Sequence, residues 1–311
     1  MHKLDSHSQG VNHVANFSVP LSAHAPVGVF DSGIGGLSVV HHLREQLPHE
    51  DFIYFADSAY APYGERSNEE LIARSIKITE FLLAKGIKAL IIACNTATAA
   101  AVAELRQRFP HFIIIGMEPG IKPAAARSES KVVGVLATRS TLQSQKFQEL
   151  SARLSLETQT QFIPQACVGL VNEIERGDLS SPAITGLLRQ YVTPLLEQGV
   201  DTLVLGCTHY PFVEQQIRSI IAEYSAEQDG NQNNKEIFVV DTGAAIARRL
   251  QQLLAQHGLL KPAIDAESPS EDKKQAAALE VWTTGTENTL RIALGYIKEE
   301  SVPVQVCHLP T

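Results

Sequence analysis

Short apolar runs alternate with longer amphipathic segments along most of the chain. Strands are predicted at residues 27–30, 51–56, 89–93, 112–116, 131–137, 160–164, 202–206, 236–240 and 279–284. Several of these runs are apolar throughout, which is typical of parallel strands covered by helices on both faces. A helix is predicted at residues 68–86, where Leu71, Ile78 and Leu82 share one face and Gly86 suits the C-terminal cap. The alternation predicts an α/β fold with mainly parallel sheets.

Three polar stretches interrupt this alternation. Residues 1–26 are rich in Ser, His and Asn and predict a weakly docked N-terminal extension. Residues 226–236 contain Gly, Asn and Gln, residues 263–275 contain Ser, Pro and charged residues, and both are typical of surface loops. The extension lacks the apolar segment of a signal peptide, and no stretch reaches the roughly 20 apolar residues of a membrane span. We therefore expect a cytoplasmic protein with no membrane partner.

The chain also repeats part of its own pattern. The matching pairs are residues 85–106 with 198–218, residues 27–32 with 133–138 and, more loosely, residues 117–120 with 240–243. The pairs occur in the same order, and the first of them places Cys94 on Cys207. Such a repeat predicts two similar Rossmann-like α/β domains related by a pseudo-twofold axis. Each domain would carry one cysteine at the carboxyl end of a parallel strand, at the mouth of the following helix.

Composition narrows the classes of function. The 311 residues carry a formal charge of −8 with no cluster of Lys and Arg, which disfavours nucleic acid as a partner. The four cysteines are widely spaced and form no CxxC pair, which favours free thiols in a reducing compartment. The eleven histidines include no HxxxH or HExxH spacing, so we expect no metal site.

Polar residues follow both matched cysteines directly. Asn95 and Thr96 come after Cys94, and Thr208 comes after Cys207. Ligands of parallel α/β sheets bind beyond the carboxyl ends of the strands, where backbone N–H groups at helix N-termini attract anions. The same field lowers the pKa of a thiol from about 8.5 toward neutrality. We therefore expect these residues to hold an anion, such as a carboxylate, beside a reactive sulfur.

Two thiols that face each other across a domain interface have three plausible uses. A disulfide requires a close approach that symmetric placement does not guarantee. Nucleophilic catalysis normally pairs one Cys with one His. Proton removal from one face of a carbon and delivery to the other needs two equivalent groups. Other classes stay open: an oxidoreductase would need a complete glycine fingerprint, which GIGG is not, and a two-lobed solute-binding module gives no reason for paired cysteines.

Five segments carry a resemblance to a known family between about residues 27 and 250. They are VGVFDSGIGGLSV, FADSAYAPYGERS, ACNTATA, GMEPGIKPA and LGCTHYPF. In this order they resemble the cofactor-independent aspartate/glutamate racemase family, and within it the glutamate racemases of bacterial cell-wall synthesis. Aspartate racemases typically read Cys-Thr-Glu at the second cysteine, whereas this chain reads CTHYP. The resemblance therefore favours L- and D-glutamate as substrates over aspartate or another amino acid, and it implies no cofactor.

The resemblance implies a role for each site residue. Cys94 would act on D-glutamate and Cys207 on L-glutamate, while Asp31 and His209 assist the thiols. Glu175 is a further catalytic candidate, and Asp57 matches another acidic position whose role the resemblance leaves open. The implied substrate-binding residues are Asp31, Ser32, Tyr63, Gly64, Asn95, Thr96, Thr208 and His209. Taken without the resemblance, Asp31 and Ser32 fit a helix N-cap, Glu175 a solvated helix end, and Cys167 and Cys307 small buried side chains.

The resemblance also implies domain limits and partners. The first domain would comprise residues 27–118 and 230–311, and the second residues 119–229. The extension at 1–26 resembles that of family members activated by the peptidoglycan precursor UDP-N-acetylmuramoyl-L-alanine, so this nucleotide is an expected activator. A homodimer is a candidate assembly, but the sequence alone does not reveal the oligomeric state, since family members differ in dimer geometry.

Overall fold

The computed structural model describes residues 21–227, 236–262 and 277–309. The loop expected at 263–275 lies outside these residues, as do residues 1–20 of the extension and most of the loop expected at 226–236. None of the helices in the described ranges has the length and apolar character needed to cross a membrane.

Ten strands form in the described part of the chain. They are β1 Val27–Asp31, β2 Phe52–Ala56, β3 Ala89–Ile92, β4 Ile113–Gly116, β5 Val132–Ala137, β6 Gln161–Ala166, β7 Thr202–Leu205, β8 Phe238–Val240, β9 Leu279–Thr283 and β10 Val304–Val306. The nine strands predicted from the apolar runs are confirmed, with ends that shift by one or two residues. The sequence did not predict β10, because a strand of three residues is too short to give a recognisable period.

Eleven α-helices occupy most of the intervening segments of the described chain. They are α1 Leu37–Gln46, α2 Asn68–Ala84, α3 Asn95–Arg108, α4 Ile121–Arg127, α5 Arg139–Gln143, α6 Gln145–Thr158, α7 Leu170–Glu175, α8 Pro182–Glu197, α9 Glu214–Glu227, α10 Gly243–Gln256 and α11 Glu287–Tyr296. The predicted helix at 68–86 is α2. It begins with a reciprocal Ser67–Glu70 capping box and is followed by Gly86 at a φ of +79°, which glycine adopts readily.

The strands form two parallel sheets with related strand orders. The first sheet is ordered β10-β9-β2-β1-β3-β4, and the second is ordered β6-β5-β7-β8. The second order matches β2-β1-β3-β4, so the internal repeat of the sequence corresponds to four strands in each half. The first sheet is extended by β9 and β10 beside β2. The prediction of two similar α/β domains is therefore confirmed.

One sequence-based assignment differs from the structure. Residues 230–311 were expected to belong with the first sheet, but β8 pairs with β7 in the second sheet. The repeat explains this position, because β8 is the counterpart of β4 and completes the fourth strand of its half. After β8, helix α10 packs against α1 and β4 on the first sheet, while α4 packs against β5 and β7 on the second. The chain therefore passes between the halves at 117–120 and again just after Val240.

A buried ion pair stabilises the amino-terminal ends of the first sheet. The ammonium group of Lys88 and the carboxylate of Glu50 are both inaccessible to solvent, with Nζ and Oε2 2.5 Å apart. Lys88 also donates to the carbonyl of Ala23, and Glu50 accepts from the backbone N–H of Lys261. Burial is the largest influence on Lys88 and lowers its pKa despite the carboxylate. Removing one partner would leave the other charge buried and uncompensated.

Replacing Lys88 with Met should lower the free energy of unfolding by about 3 to 5 kcal/mol, the typical cost of stranding one buried charge. Thermal unfolding followed by circular dichroism measures this loss. The double variant Lys88→Met/Glu50→Gln should recover much of it, because no unpaired charge remains. Equal stability of the single variant and the unmodified protein would contradict this interpretation. Both variants should stay active, since the pair lies at the amino-terminal ends of the strands.

Candidate active site

A cavity of about 130 Å³ lies between the two sheets, at the carboxyl ends of their strands. Its walls come from the residues that follow β1, β3, β5, β6 and β7, together with residues 62–65. The lining residues are Ser32, Pro62, Tyr63, Gly64, Glu65, Cys94, Asn95, Thr96, Thr138, Arg139, Cys167, Val168, Gly169, Val171, Asn172, Cys207, Thr208 and His209. This is the position at which parallel α/β sheets bind ligands, and the volume suits a molecule of amino-acid size.

The first thiol begins a chain of hydrogen bonds that ends at a buried carboxylate. Cys94 Sγ lies 3.8 Å from Ser32 Oγ, and Ser32 Oγ lies 3.4 Å from Asp31 Oδ1. The backbone N–H of Ala97 donates to Cys94 Sγ over 3.4 Å, so the sulfur caps helix α3. Burial raises the pKa of Asp31, which makes this carboxylate a better proton acceptor than an exposed one.

The second thiol begins a corresponding chain with different members. Cys207 Sγ lies 3.7 Å from Nδ1 of His209, and His209 Nε2 lies 2.5 Å from Oε1 of Glu175. Burial opposes a charge on His209, but the hydrogen bonds to Cys207 and Glu175 outweigh it and raise the pKa of His209 well above 6.5. Burial likewise opposes the charge of Glu175, yet His209 holds the pKa of Glu175 below its usual value. A protonated imidazole therefore lies beside Cys207.

The two thiols differ from the sequence-based expectation in two ways. Burial, reinforced by the negative charge of Asp31, raises the pKa of Cys94 well above its ordinary value, although the helix N-terminus was expected to lower it. Desolvation outweighs the helix field because the sulfur is enclosed and has a carboxylate nearby. Cys207 is followed by a 3₁₀ turn at Tyr210–Val213, and α9 begins only at Glu214, so it does not lie at the mouth of a helix as Cys94 does.

Two hydrogen bonds between the halves hold these chains against each other. Thr208 Oγ1 donates to Asp31 Oδ2 over 3.0 Å, and the backbone N–H of Ile34 donates to Glu175 Oε1 over 2.9 Å. The glycines of DSGIGG permit this approach. A Cβ atom on Gly33 would collide with the Glu175 carboxylate, and one on Gly35 would collide with the side chains of His209 and Thr208. The glycines thus serve close packing between the domains.

Asn95 is a buried polar side chain whose amide has no partner among the described residues. It is 5% exposed, and neither Oδ1 nor Nδ2 makes a hydrogen bond. Buried amides without partners are rare and destabilising, so one that lines a cavity indicates a ligand. Beside it, the hydroxyl of Thr96 lies 3.1 Å from that of Thr138, which in turn donates to Thr141. These groups form a polar wall of the cavity.

A second set of buried polar groups holds Tyr63 in the wall of the cavity. Its hydroxyl donates to Asp57 Oδ2 over 2.6 Å, and Arg74 donates to both carboxylate oxygens of Asp57. Thr284 Oγ1 donates to Asp57 Oδ1 over 2.8 Å. Asp57 itself does not line the cavity. In the structure Asp57 orients the Tyr63 side chain, and this answers the question of its role that the sequence left open.

The structure brings the sequence-predicted site residues together, in or directly behind one cavity. Asp31 and Glu175 end the two hydrogen-bond chains, behind Ser32 and His209 respectively. Sequence reasoning missed Thr138 and Arg139, although the match of VGVFDS with VGVLAT places Thr138 opposite Ser32. Cys167 also lines the cavity, but burial raises its pKa to about 12, consistent with a small buried side chain.

These features define a class of protein. Residues 27–250 match the model of the Asp/Glu/hydantoin racemase family, and the chain belongs to that family. The glutamate racemase of Ectopseudomonas mendocina is 48% identical over 284 residues, which cover 91% of this chain and 98% of that protein.

Solved structures agree with this membership. Glutamate racemase from Francisella tularensis, in complex with D-glutamate, has a TM-score of 0.73 at 26% identity and covers 92% of this chain and 98% of its own. Escherichia coli glutamate racemase, in complex with L-glutamate and the activator UDP-MurNAc-ala, has a TM-score of 0.70 at 29% identity. That match covers 91% of this chain and 97% of the E. coli chain. Both share the fold described above.

The raised pKa of His209 predicts a pH dependence of stability. Because the pKa is higher in the folded state, protonated His209 stabilises the fold fully below pH 6.5, and this contribution is lost as the pH rises through the folded-state value. The unfolding midpoint of the unmodified protein should therefore exceed that of His209→Asn at neutral pH, and the difference should shrink in the alkaline range. In a Glu175→Gln background, the stability difference caused by His209→Asn should change less as the pH rises, because Glu175 helps to raise the pKa of His209. A difference that does not vary with pH would contradict the ion pair.

Proposed function

We propose that this protein is a cofactor-independent glutamate racemase, an isomerase that interconverts L- and D-glutamate and supplies D-glutamate for peptidoglycan synthesis and cell shape. The observation that carries the proposal is the presence of Cys94 and Cys207 in one cavity, each from the matching strand end of its half. Racemisation needs two acid–base groups on opposite faces of one carbon. The glutamate racemases similar to this chain support the choice of substrate.

In the L-to-D direction, we assign Cys207 as the thiolate that removes the Cα proton and Cys94 as the thiol that donates a proton to the opposite face. The Cα–H bond breaks, its electron pair remains on the substrate, and a new Cα–H bond forms from the Cys94 S–H. Cys207 is then the thiol and Cys94 the thiolate. The D-to-L reaction uses the same steps in reverse.

The hydrogen-bond chains behind the thiols complete this cycle. The Ser32 hydroxyl links Cys94 to Asp31, and the His209 imidazole links Cys207 to Glu175. Each chain can accept or return the proton that its thiol gains or loses. The raised pKa of Asp31 and the protonated state of His209 suit opposite starting points for the two halves.

The remaining cavity residues are proposed to bind the substrate. The unpartnered amide of Asn95 and the backbone N–H groups of Thr96 and Thr208 would hold carboxylate oxygens, with Tyr63 and Gly64 completing the wall. Ser32, with the carboxylate of Asp31 directly behind it, would face the ammonium group. Because Cα of an amino acid is only weakly acidic, these donors must stabilise a carbanion-like transition state from fixed positions in a water-poor site.

Three further properties belong to the same proposal. UDP-N-acetylmuramoyl-L-alanine is a candidate activator, because the E. coli enzyme binds UDP-MurNAc-ala as its activator. Four free thiols fit the reducing cytoplasm. A homodimer is the proposed assembly. The domain limits are proposed at the two passages between the sheets, which adjusts the second limit from residue 229 to just after β8.

Incubation of the purified protein with L-glutamate in D₂O, without added cofactor, tests the activity. Optical rotation should fall to zero while deuterium enters Cα, because proton removal and return at opposite faces exchange the proton with solvent. Nuclear magnetic resonance of the Cα–H signal measures the exchange. Inert L-glutamate with reactive L-aspartate would refute the choice of substrate but keep the mechanism. Inert glutamate and aspartate, with and without the muramoyl nucleotide, would refute the racemase proposal.

Asn95 offers a test that separates binding from folding. Asn95→Ala should raise the KM for glutamate roughly 10-fold or more, because a hydrogen bond to a charged group contributes about 1.5 to 3 kcal/mol. It should leave the unfolding midpoint unchanged or higher, since it removes two unpartnered buried atoms. Thr98→Ala is the matched control, because Thr98 donates to Ile92 and accepts from Met117 inside the fold. That variant should lose stability and keep its KM. A clear loss of stability in Asn95→Ala would contradict a ligand role.

Addition of UDP-N-acetylmuramoyl-L-alanine to the racemisation assay tests the activator. The expected result is an increase in kcat/KM, equal in both directions because the two enantiomers have equal free energies in solution. UDP-N-acetylglucosamine serves as the control nucleotide. An unchanged rate over a range of muramoyl nucleotide concentrations would reject this part of the proposal.

A further inference from the structure

The surroundings of the cavity carry more negative than positive charge. The buried Asp31 and the half-buried Glu175 lie directly behind its walls, and Glu65 lies at its rim. The whole chain has a formal charge of −8. A ligand with two carboxylates and one ammonium group carries a net negative charge, so it must approach this site against an unfavourable field.

Arg139 is a basic residue at the opening of the cavity. It follows Thr138 as the first residue of α5 and is exposed to solvent. It lines the cavity and also a larger outer groove of about 830 Å³, which adjoins the cavity between the two halves. Gly64, Glu65 and Thr96 also line both spaces. Arg139 therefore marks the place where the groove opens into the cavity.

The other basic residues of the outer groove are already engaged within the protein. Arg66 donates to the carbonyl of Tyr60, and Arg106 donates to the carbonyl of Ile114. Lys146 pairs with Glu118 at 2.5 Å. The side chain of Arg139 has no hydrogen bond or ion pair with any residue that the structure describes. Its guanidinium donors are therefore available to a ligand, and two of them match the geometry of a carboxylate.

We propose that Arg139 is an entrance residue that captures a carboxylate of the incoming substrate and favours dicarboxylic over neutral amino acids. This inference rests on the proposed racemase function for the identity of the substrate. Arg139 lies at the opening of the cavity and belongs to neither proton-transfer chain. Its removal should therefore weaken binding and leave the chemical step largely unchanged.

Steady-state kinetics of Arg139→Gln test this role. We expect the KM for glutamate to rise about 3- to 10-fold, the range for losing one partly screened charge contact, with kcat within about twofold. Added salt should raise the KM of the unmodified protein more than that of the variant, and Arg139→Lys should keep part of the effect. Arg153→Gln is the matched control, because Arg153 is exposed on α6, lines neither space and changes the net charge equally. An unchanged KM, or the same change in the control, would overturn the proposal.

A second measurement does not depend on racemase activity. The cavity thiols Cys94 and Cys207 can be alkylated by anionic iodoacetate or neutral iodoacetamide. For each thiol, peptide mass spectrometry gives the rate with iodoacetate divided by the rate with iodoacetamide. The ratio cancels differences in thiol reactivity. It should fall severalfold in Arg139→Gln and stay constant in Arg153→Gln. An equal ratio in all three proteins would overturn the entrance role, whereas a protein that fails to racemise glutamate but shows the shifted ratio would refute only the assigned substrate.

Discussion

The proposed activity depends on one geometric constraint: two acid–base groups must lie on opposite sides of a gap that holds a single small substrate. The internal repeat meets it by giving each half a cysteine at the end of the matching strand, β3 or β7. The halves are then held in register by Thr208 on Asp31 and by Ile34 on Glu175. Because these bonds involve the carboxylates that end the two hydrogen-bond chains, domain packing and the proposed proton transfer share their residues.

The two halves have equivalent positions but different chemistry. Cys94 is enclosed beside Ser32 and Asp31, where burial and a carboxylate favour the neutral thiol. Cys207 lies beside His209, which Glu175 keeps protonated. In this arrangement the Cys94 thiol is ready to donate a proton, whereas the sulfur of Cys207 has the positively charged imidazole of His209 beside it. The kcat/KM of a racemase must be equal in both directions, so the protonation states of the two thiols must exchange during turnover. The ammonium group of the substrate would add the positive charge needed for this exchange.

The sequence predicted the parallel sheets, the repeat and the paired thiols, because apolar runs and a matching register are local signals. It placed β8 on the wrong sheet, although the loose match of residues 117–120 with 240–243 indicated the correct one. It also predicted the wrong direction for the pKa of Cys94, since desolvation depends on enclosure by distant segments. The orphaned amide of Asn95 and the free guanidinium of Arg139 became visible only when all neighbouring segments were in place.

The most direct test of the paired thiols is the exchange of Cα–H for deuterium by single-thiol variants. Cys94→Ala should exchange the proton of L-glutamate slowly, with retention of configuration, and should leave D-glutamate untouched. Cys207→Ala should show the opposite preference, and neither variant should racemise. Cys167→Ala, which alters a third thiol of the same cavity, should racemise normally. Racemisation by either single-thiol variant, or exchange of both enantiomers by one of them, would contradict a mechanism with one cysteine on each face.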